Sequence, residues 1–309
     1  PADQLGKGRN RRSASLGGNC NFCHVEGDLA KDDKEEKQTA REMIKMTFDI
    51  NKNNFGGRTE ISCNTCHSGK THPQSVPNLN PVAAEERPKQ PDAKPTIDAI
   101  LDKYTQAVGG KDALAKITSR QITASRVEPN GKTEPEEISQ KGDKILIVTK
   151  YPQAIVSEAF DGANAWKRAG DKNINLKLDE AEQIKRSAQI FSDADLKTIY
   201  PKMDYRFTDK IDGREVYLVL GTLPDNSRER LYFDVSNGLL VRRVAASPTV
   251  LGNYQYQVDY GDYKDFGGVN LPTTIHYSMP NISWTRKILE VKNNAAIDDA
   301  KFNQPMKTF

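Results

Sequence analysis

All four cysteines of the 309-residue chain fall in two copies of one motif, Cys20-Asn21-Phe22-Cys23-His24 and Cys63-Asn64-Thr65-Cys66-His67. Thiols three residues apart reach the two vinyl groups on one edge of a porphyrin and form thioethers. The adjacent histidine then lies beneath the ring with a nitrogen aimed at the iron. The pattern predicts two covalently attached haems c, held by Cys20, Cys23, Cys63 and Cys66, with His24 and His67 as proximal ligands. Two disulfides, a zinc site built from all four cysteines or from two cysteines and two histidines, and a thioredoxin-like redox pair compete with this reading. A structural zinc site of the usual kind leaves the histidines directly after the second cysteines unexplained, a redox pair calls for a βαβ pattern that is absent, and disulfides need no histidine.

Sixth iron ligands must come from four histidines and five methionines, and the candidates are Met43, Met46, His72 and His276. A methionine on an apolar helix stripe packs in a core as readily as it ligates, and a lone strand histidine such as His276 commonly has a structural role. Two irons in so short a segment shift the balance towards ligation. Met43, central on its stripe, is favoured over Met46 at the flank.

One helix must position these groups, expected from Asp33 to Asn51. Asp32, Asp33, Glu35 and Glu36 crowd its start, and Ala40, Met43, Ile44, Thr47 and Ile50 recur at helical spacing. Gly56-Gly57 follows the segment that ends it. Prolines 73, 77, 81, 88, 91 and 95, set among polar residues, describe an extended linker. Beyond it Ile97, Ile100, Leu101, Tyr104 and Val108 share a helix face, ended by Gly109-Gly110.

Strand signals follow at Lys144–Lys150, Ala154–Phe160, Arg214–Leu220, Arg228–Asp234, Leu239–Ala246, Gln255–Tyr263, Thr273–Met279 and Trp284–Lys292, with Asn237-Gly238 as a hairpin turn. A helix carrying Leu178, Ala181, Ile184, Ala188 and Phe191 interrupts them. The expected class is α+β with two domains. Residues 1–75 form a small, mainly helical di-haem cytochrome c domain and 76–95 a Pro-rich linker. Residues 96–309 form a long, curved antiparallel sheet with helices packed on its concave face.

Composition narrows the function classes. With 36% hydrophobic and 28% charged residues and no apolar run of spanning length, no transmembrane segment is expected. The 45 basic and 42 acidic residues are mixed along the chain, without the basic stripe of a nucleic-acid binder. Phosphate loops, nucleophile elbows and metalloprotease motifs are missing. Covalent haem attachment occurs outside the cytoplasm, so the expected location is periplasmic, outer-membrane-associated or extracellular. A chain starting Pro1-Ala2-Asp3 without Met is compatible with removal of a leader.

The run Ser15-Leu16-Gly17-Gly18-Asn19-Cys20, then Phe22-Cys23-His24, Met46-Thr47-Phe48-Asp49-Ile50-Asn51 and Cys63-Asn64-Thr65-Cys66-His67-Ser68-Gly69 resembles the last two haem segments of the photosynthetic reaction-centre cytochrome c subunit family. It is closer still to shorter two-haem proteins related to that subunit. The resemblance covers residues 15 to 73. It implies that a helix methionine before a haem motif, Met43 or Met46, serves the haem at His67. No methionine precedes Cys20, which leaves His72 as leading candidate for the first haem, or His276 from an adjacent copy. The second domain resembles the periplasmic lipoprotein-carrier fold, a half-open barrel around helices, in its strand order and its Asp234–Leu239 hairpin.

The expected function is electron transfer with a redox partner protein, a membrane-associated partner, or further copies of the chain as a polymeric conduit. No catalytic residues are assigned. A different class, a haem-bearing binding or sensor module for an apolar ligand, would call for a large apolar pocket in the sheet domain. A peroxidase-type enzyme would call for an open iron position at His24.

Overall fold

The computed structural model describes residues 14–73, 90–176, 178–192, 196–249, 252–280 and 282–305. The chain divides into two compact units. One consists of Pro1–Glu85 with Ala246–Tyr256 and Met279–Ile282, and the other of Glu86–Ala245, Gln257–Ser278 and Ser283–Phe309.

In the first unit the long helix runs Glu35–Asn54, three residues beyond the expected end. Glu35 and Glu36 occupy its first turn and Lys52 its last, charges that favour the respective dipole ends. Asn51 does not terminate it. Its carbonyl accepts from the amides of Phe55 (3.1 Å) and Gly57 (3.0 Å), and its side chain binds the chain that returns towards the second motif. The first motif opens with a 3-10 turn at Cys20–Phe22 and the second forms a short helix at Cys63–His67, preceded by a Ser62/Thr65 capping box.

The second unit is organised by one antiparallel sheet. Its strands, as described, are β1 (Ser119–Val127), β2 (Thr133–Lys141), β3 (Lys144–Lys150), β4 (Ile155–Phe160), β5 (Ala165–Ala169), β6 (Lys172–Ile174), β7 (Lys202–Ile211), β8 (Arg214–Thr222), β9 (Arg228–Asp234), β10 (Leu240–Thr249), β11 (Gly252–Asp265), β12 (Asn270–Met279) and β13 (Ile282–Asn293). Spatial order is β6-β5-β4-β3-β2-β1-β13-β12-β11-β10-β9-β8-β7. The chain leaves the sheet at the β6 edge, forms the helix Leu178–Ser192, and re-enters at the opposite edge as β7.

That helix lies on β3 and β4, burying Ile184 and Ala188 against Ile122, Ile138, Ile145, Ile147 and Phe160. On the other face Leu146, Ala159 and Trp166 enclose Phe302 of the C-terminal 3-10 turn, and Trp166 Nε1 donates to the Phe302 carbonyl at 2.7 Å. The alternation of Ile145, Leu146 and Ile147 between the two clusters follows from the two-residue period of a strand.

Eight expected strands are present. Five further ones are β1, β2, β5, β6 and β7, and on β1 and β2 several buried positions are polar or charged, among them Arg120, Glu136 and Gln140. Glu136 on β2 is 2% exposed and is gripped by Arg286 of β13 and the hydroxyl of Thr149. Arg243 on β10 and Glu229 on β9 are similarly buried and paired at 3.1 Å. Burial raises the Glu229 pKa, but Arg243 and Arg186 outweigh it and hold the carboxyl below its usual range.

The expected linker at 76–95 falls mostly outside the described residues. Its end is fastened to the sheet, where Gln90 Nε2 donates to the Thr208 carbonyl (2.9 Å) and its Oε1 accepts from the Thr208 amide (2.8 Å). Gln90 thus occupies backbone groups on β7, an edge strand whose pairing sites would otherwise be open. Among the described residues no helix is long and apolar enough to cross a membrane, which leaves spanning by strands untouched.

Candidate functional site

The two Cys-x-x-Cys-His motifs belong to the same unit, and close backbone packing ties them together. The amide of Gly69, two residues past His67, donates to the carbonyl of Ser15, five residues before Cys20, at 2.8 Å. Gly17 sits at φ +64° against this contact, and a Cβ there would lie 2.0 Å from the Gly69 carbonyl oxygen. Only glycine meets both demands.

None of the four cysteines is in a disulfide, and among the described residues no three His, Cys, Asp or Glu side chains gather as a metal site would require. The two histidines share one device. His24 Nδ1 lies 2.9 Å from the Leu29 carbonyl oxygen, and His67 Nδ1 lies 3.0 Å from the Lys70 carbonyl oxygen. A carbonyl only accepts, so each Nδ1 carries a proton and Nε2 is the ring nitrogen left to face a metal. Fixing the tautomer in this way is how proteins orient ligating histidines.

An open cleft of about 170 Å³ lies between the first motif and the long helix, lined on the helix side by Lys37, Ala40, Arg41 and Ile44 and on the motif side by Cys20, Cys23 and His24. Phe22, Leu29, Met43, Met46 and Phe48 are each at least 37% exposed, an unusual density of uncovered apolar side chains for so short a stretch. The cysteine spacing, the oriented imidazoles and the apolar walls together fit a thioether-bound haem at the first motif. The second motif repeats the cysteines and the imidazole geometry.

The expected stripe of the long helix splits in the structure. Ala40 and Ile44 face the first-motif cleft, whereas Met46 and Ile50 line a separate shallow groove. Thr47 and Asn51 are its buried residues, and Met43 and Met46 are 40% and 43% exposed. His72 is exposed. His276 is placed elsewhere, on β12 in the second unit, with Nδ1 2.9 Å from Thr285 Oγ1.

Sequence reasoning missed Lys37, Arg41 and Asn51. Asp32 accepts two hydrogen bonds from Arg41 (2.6 and 2.8 Å) and an ion pair from Lys37 (2.8 Å), and these hold its carboxyl down at about 2. Asn51 Oδ1 accepts from the amides of Glu60 (3.0 Å) and Ile61 (2.9 Å) while Nδ2 donates to the Ile61 carbonyl at 2.7 Å. Asparagine deep in a helix carries no sequence signal for a bond to residues nine and ten positions later.

The class these features define is a pair of haem-attachment motifs on a small unit joined to a long antiparallel sheet. Residues 14–128 match the photosynthetic reaction centre cytochrome c subunit family, the resemblance read from the motifs themselves. The cytochrome c subunit of the Roseobacter denitrificans reaction centre is 39% identical over 72 residues, covering 20% of this chain and 19% of that protein. Its counterpart from Rubrivivax gelatinosus is 37% identical over 59 residues, covering 18% and 16%. The chain thus spans less than a fifth of the length of these curated relatives. Among solved structures, a LolA superfamily protein from Nitrosomonas europaea aligns with 68% of this chain and 99% of its own at 15% identity and a TM-score of 0.48. A DUF1329 family protein from Desulfovibrio piger aligns with 68% and 98% at the same identity and score.

Proposed function

We propose that this chain is an exported electron carrier holding two c-type haems, one on Cys20 and Cys23 and one on Cys63 and Cys66. The observation that carries this reading is the pair of histidines, His24 and His67, each with Nδ1 bound to a backbone carbonyl and Nε2 left to ligate. Bound haem supplies a one-electron ferric/ferrous couple. The cysteines fix each ring by one edge, the histidines hold the proximal side, and Ala40 and Ile44 provide an apolar wall that excludes water from the first. Residues 1–75 are the haem-bearing domain in this reading and 76–95 the linker.

Met43 and Met46 are the candidates for the distal side of the haem at His67, because neither lines the first-motif cleft. His72 remains the candidate for the haem at His24. Electrons would pass to a redox partner protein, a membrane-bound one or a further copy of the chain. The similarity to a reaction-centre cytochrome c subunit supports a membrane-bound partner. An exported location follows from the chemistry of covalent attachment.

Intact-mass analysis of protein produced with a haem-maturation system tests this directly. The expected result is two haem additions that survive denaturation and acid-solvent extraction, and a mass with fewer than two overturns the reading. Failure of the reduced protein to bind carbon monoxide would set aside peroxidase-type chemistry.

In the sheet unit the cavity lined by Ile122, Ile138, Ile145 and Ile288 with Arg120 and Arg286 holds only about 40 Å³, room for a water or two rather than an apolar ligand, and lends the binding-module reading no support.

A further inference from the structure

The oxygen of Leu29 accepts twice. His24 Nδ1 approaches it at 2.9 Å and the Lys37 ammonium at 3.0 Å. Lys37 Nζ also reaches the carbonyls of Ala30 and Lys31, both at 2.8 Å, and Asp32 Oδ1 at 2.8 Å. Its side chain is only 11% exposed and lines the first-motif cleft. The histidine of the second motif is held differently. His67 Nδ1 meets the Lys70 carbonyl, and among the described residues no lysine or arginine donates to that oxygen.

We infer that Lys37 is a positioning residue that raises the reduction potential of the haem at Cys20 and Cys23 and leaves the haem at Cys63 and Cys66 unchanged. This rests on the two-haem reading above. A carbonyl that accepts an imidazole N–H draws on the proton and makes the ring a stronger donor to iron. An ammonium on the same oxygen withdraws electron density from it and weakens that pull. A fixed, largely buried positive charge beside the ligand also favours the iron state of lower positive charge, which is the ferrous one. Both effects have the same sign. The three carbonyl contacts of Lys37 hold the Leu29–Lys31 loop, and with it the imidazole plane, in place.

The test uses full-length protein with both haems attached, verified by mass, in a redox titration followed by NMR of the haem methyl resonances. Each haem is assigned by Overhauser contacts to its own motif. Lys37→Gln is expected to make the first-motif haem about tenfold harder to reduce, a fall of about 59 mV for one electron. The second haem should not move. Lys37→Arg, which keeps the charge, should restore the parent value. Asp32→Asn, which removes the carboxylate facing Lys37, should shift the first haem in the opposite direction. Equal shifts at both haems, no shift, or a fall in Lys37→Arg as large as in Lys37→Gln would overturn the inference. If Lys37→Gln fails to take up haem, Asp32→Asn decides alone, and an unmoved or lowered first-haem potential overturns it. A parent protein with fewer than two haems instead removes the underlying reading.

Discussion

Gly17 and Gly69 approach so closely that a single Cβ on Gly17 would stand 2.0 Å from the Gly69 carbonyl oxygen, although 52 positions separate them in sequence. Through this contact and the Gly69-to-Ser15 hydrogen bond, the segment leading into the first motif is packed on the segment leaving the second. Gly17→Ala adds left-handed strain of about 1 to 2 kcal/mol to a backbone clash. The expected outcome is a lower unfolding midpoint for the first unit and, in the two-haem reading proposed above, changed spectra at both haems, seen by denaturant titration and visible absorption. Spectra altered at one haem alone would show that the glycine contact does not couple them.

Asn51 is buried and satisfies two amides and one carbonyl of the return segment. Replacing it with Leu strands those groups, at a cost of about 3 kcal/mol. Chemical denaturation should show this loss, with Asn51→Asp, which keeps the acceptor and loses the donor, falling between. A loss under about 1 kcal/mol would mean that the return segment is held by other contacts.

Acid should affect the region around the long helix late. The Asp32 carboxyl, held at about 2 by Arg41 and Lys37, has a folded pKa below its ordinary value of 3.8. Its contribution is therefore fully present above about 4 and lost as the pH falls towards 2. Thermal melts from about pH 5 to about pH 2 should show this dependence in the parent and lose it in Asp32→Asn. Identical profiles would show that the ion pairs contribute nothing in solution.

The Glu136–Arg286 pair lies inside the sheet with side chains 1% and 9% exposed. Arg286→Ala leaves a buried carboxylate without its partner and is expected to destabilise the second unit by about 3 to 5 kcal/mol. Glu136→Leu combined with Arg286→Met should be much milder in equilibrium unfolding. A double variant as damaged as the single one would show that the hydrogen bonds to Thr149 and Tyr277 matter more than the charges.

Much of the site is legible in the chain itself, because covalent chemistry is written in local spacing. Two thiols three residues apart with a histidine next to them need no tertiary information to be read, and neither does an apolar helix stripe or an Asn-Gly turn. The Asn237-Gly238 turn joins β9 and β10 as expected, with Gly238 at φ +79° and Asp234 Oδ1 accepting the Ser236 and Asn237 amides. Strands β3 and β9 fall on their expected residues because their apolar content is local too.

What the sequence hid depends on partners far along the chain. Strands β1 and β2 look polar, since the carboxylate of Glu136 finds its guanidinium 150 positions later on β13 and Ser119 bonds Ala295. A buried charge looks like a surface charge until its counter-ion is placed beside it. Lys37 reads as one more solvated helix lysine, and only the folded loop shows that its ammonium shares an oxygen with His24. By itself, then, the sequence carries the proposed chemistry of attachment, through neighbours that the chain cannot separate. The tertiary structure alone decided which carbonyl each histidine meets, which helix face each motif sees and which charges are buried, because those depend on the packing of residues that sequence distance does not relate.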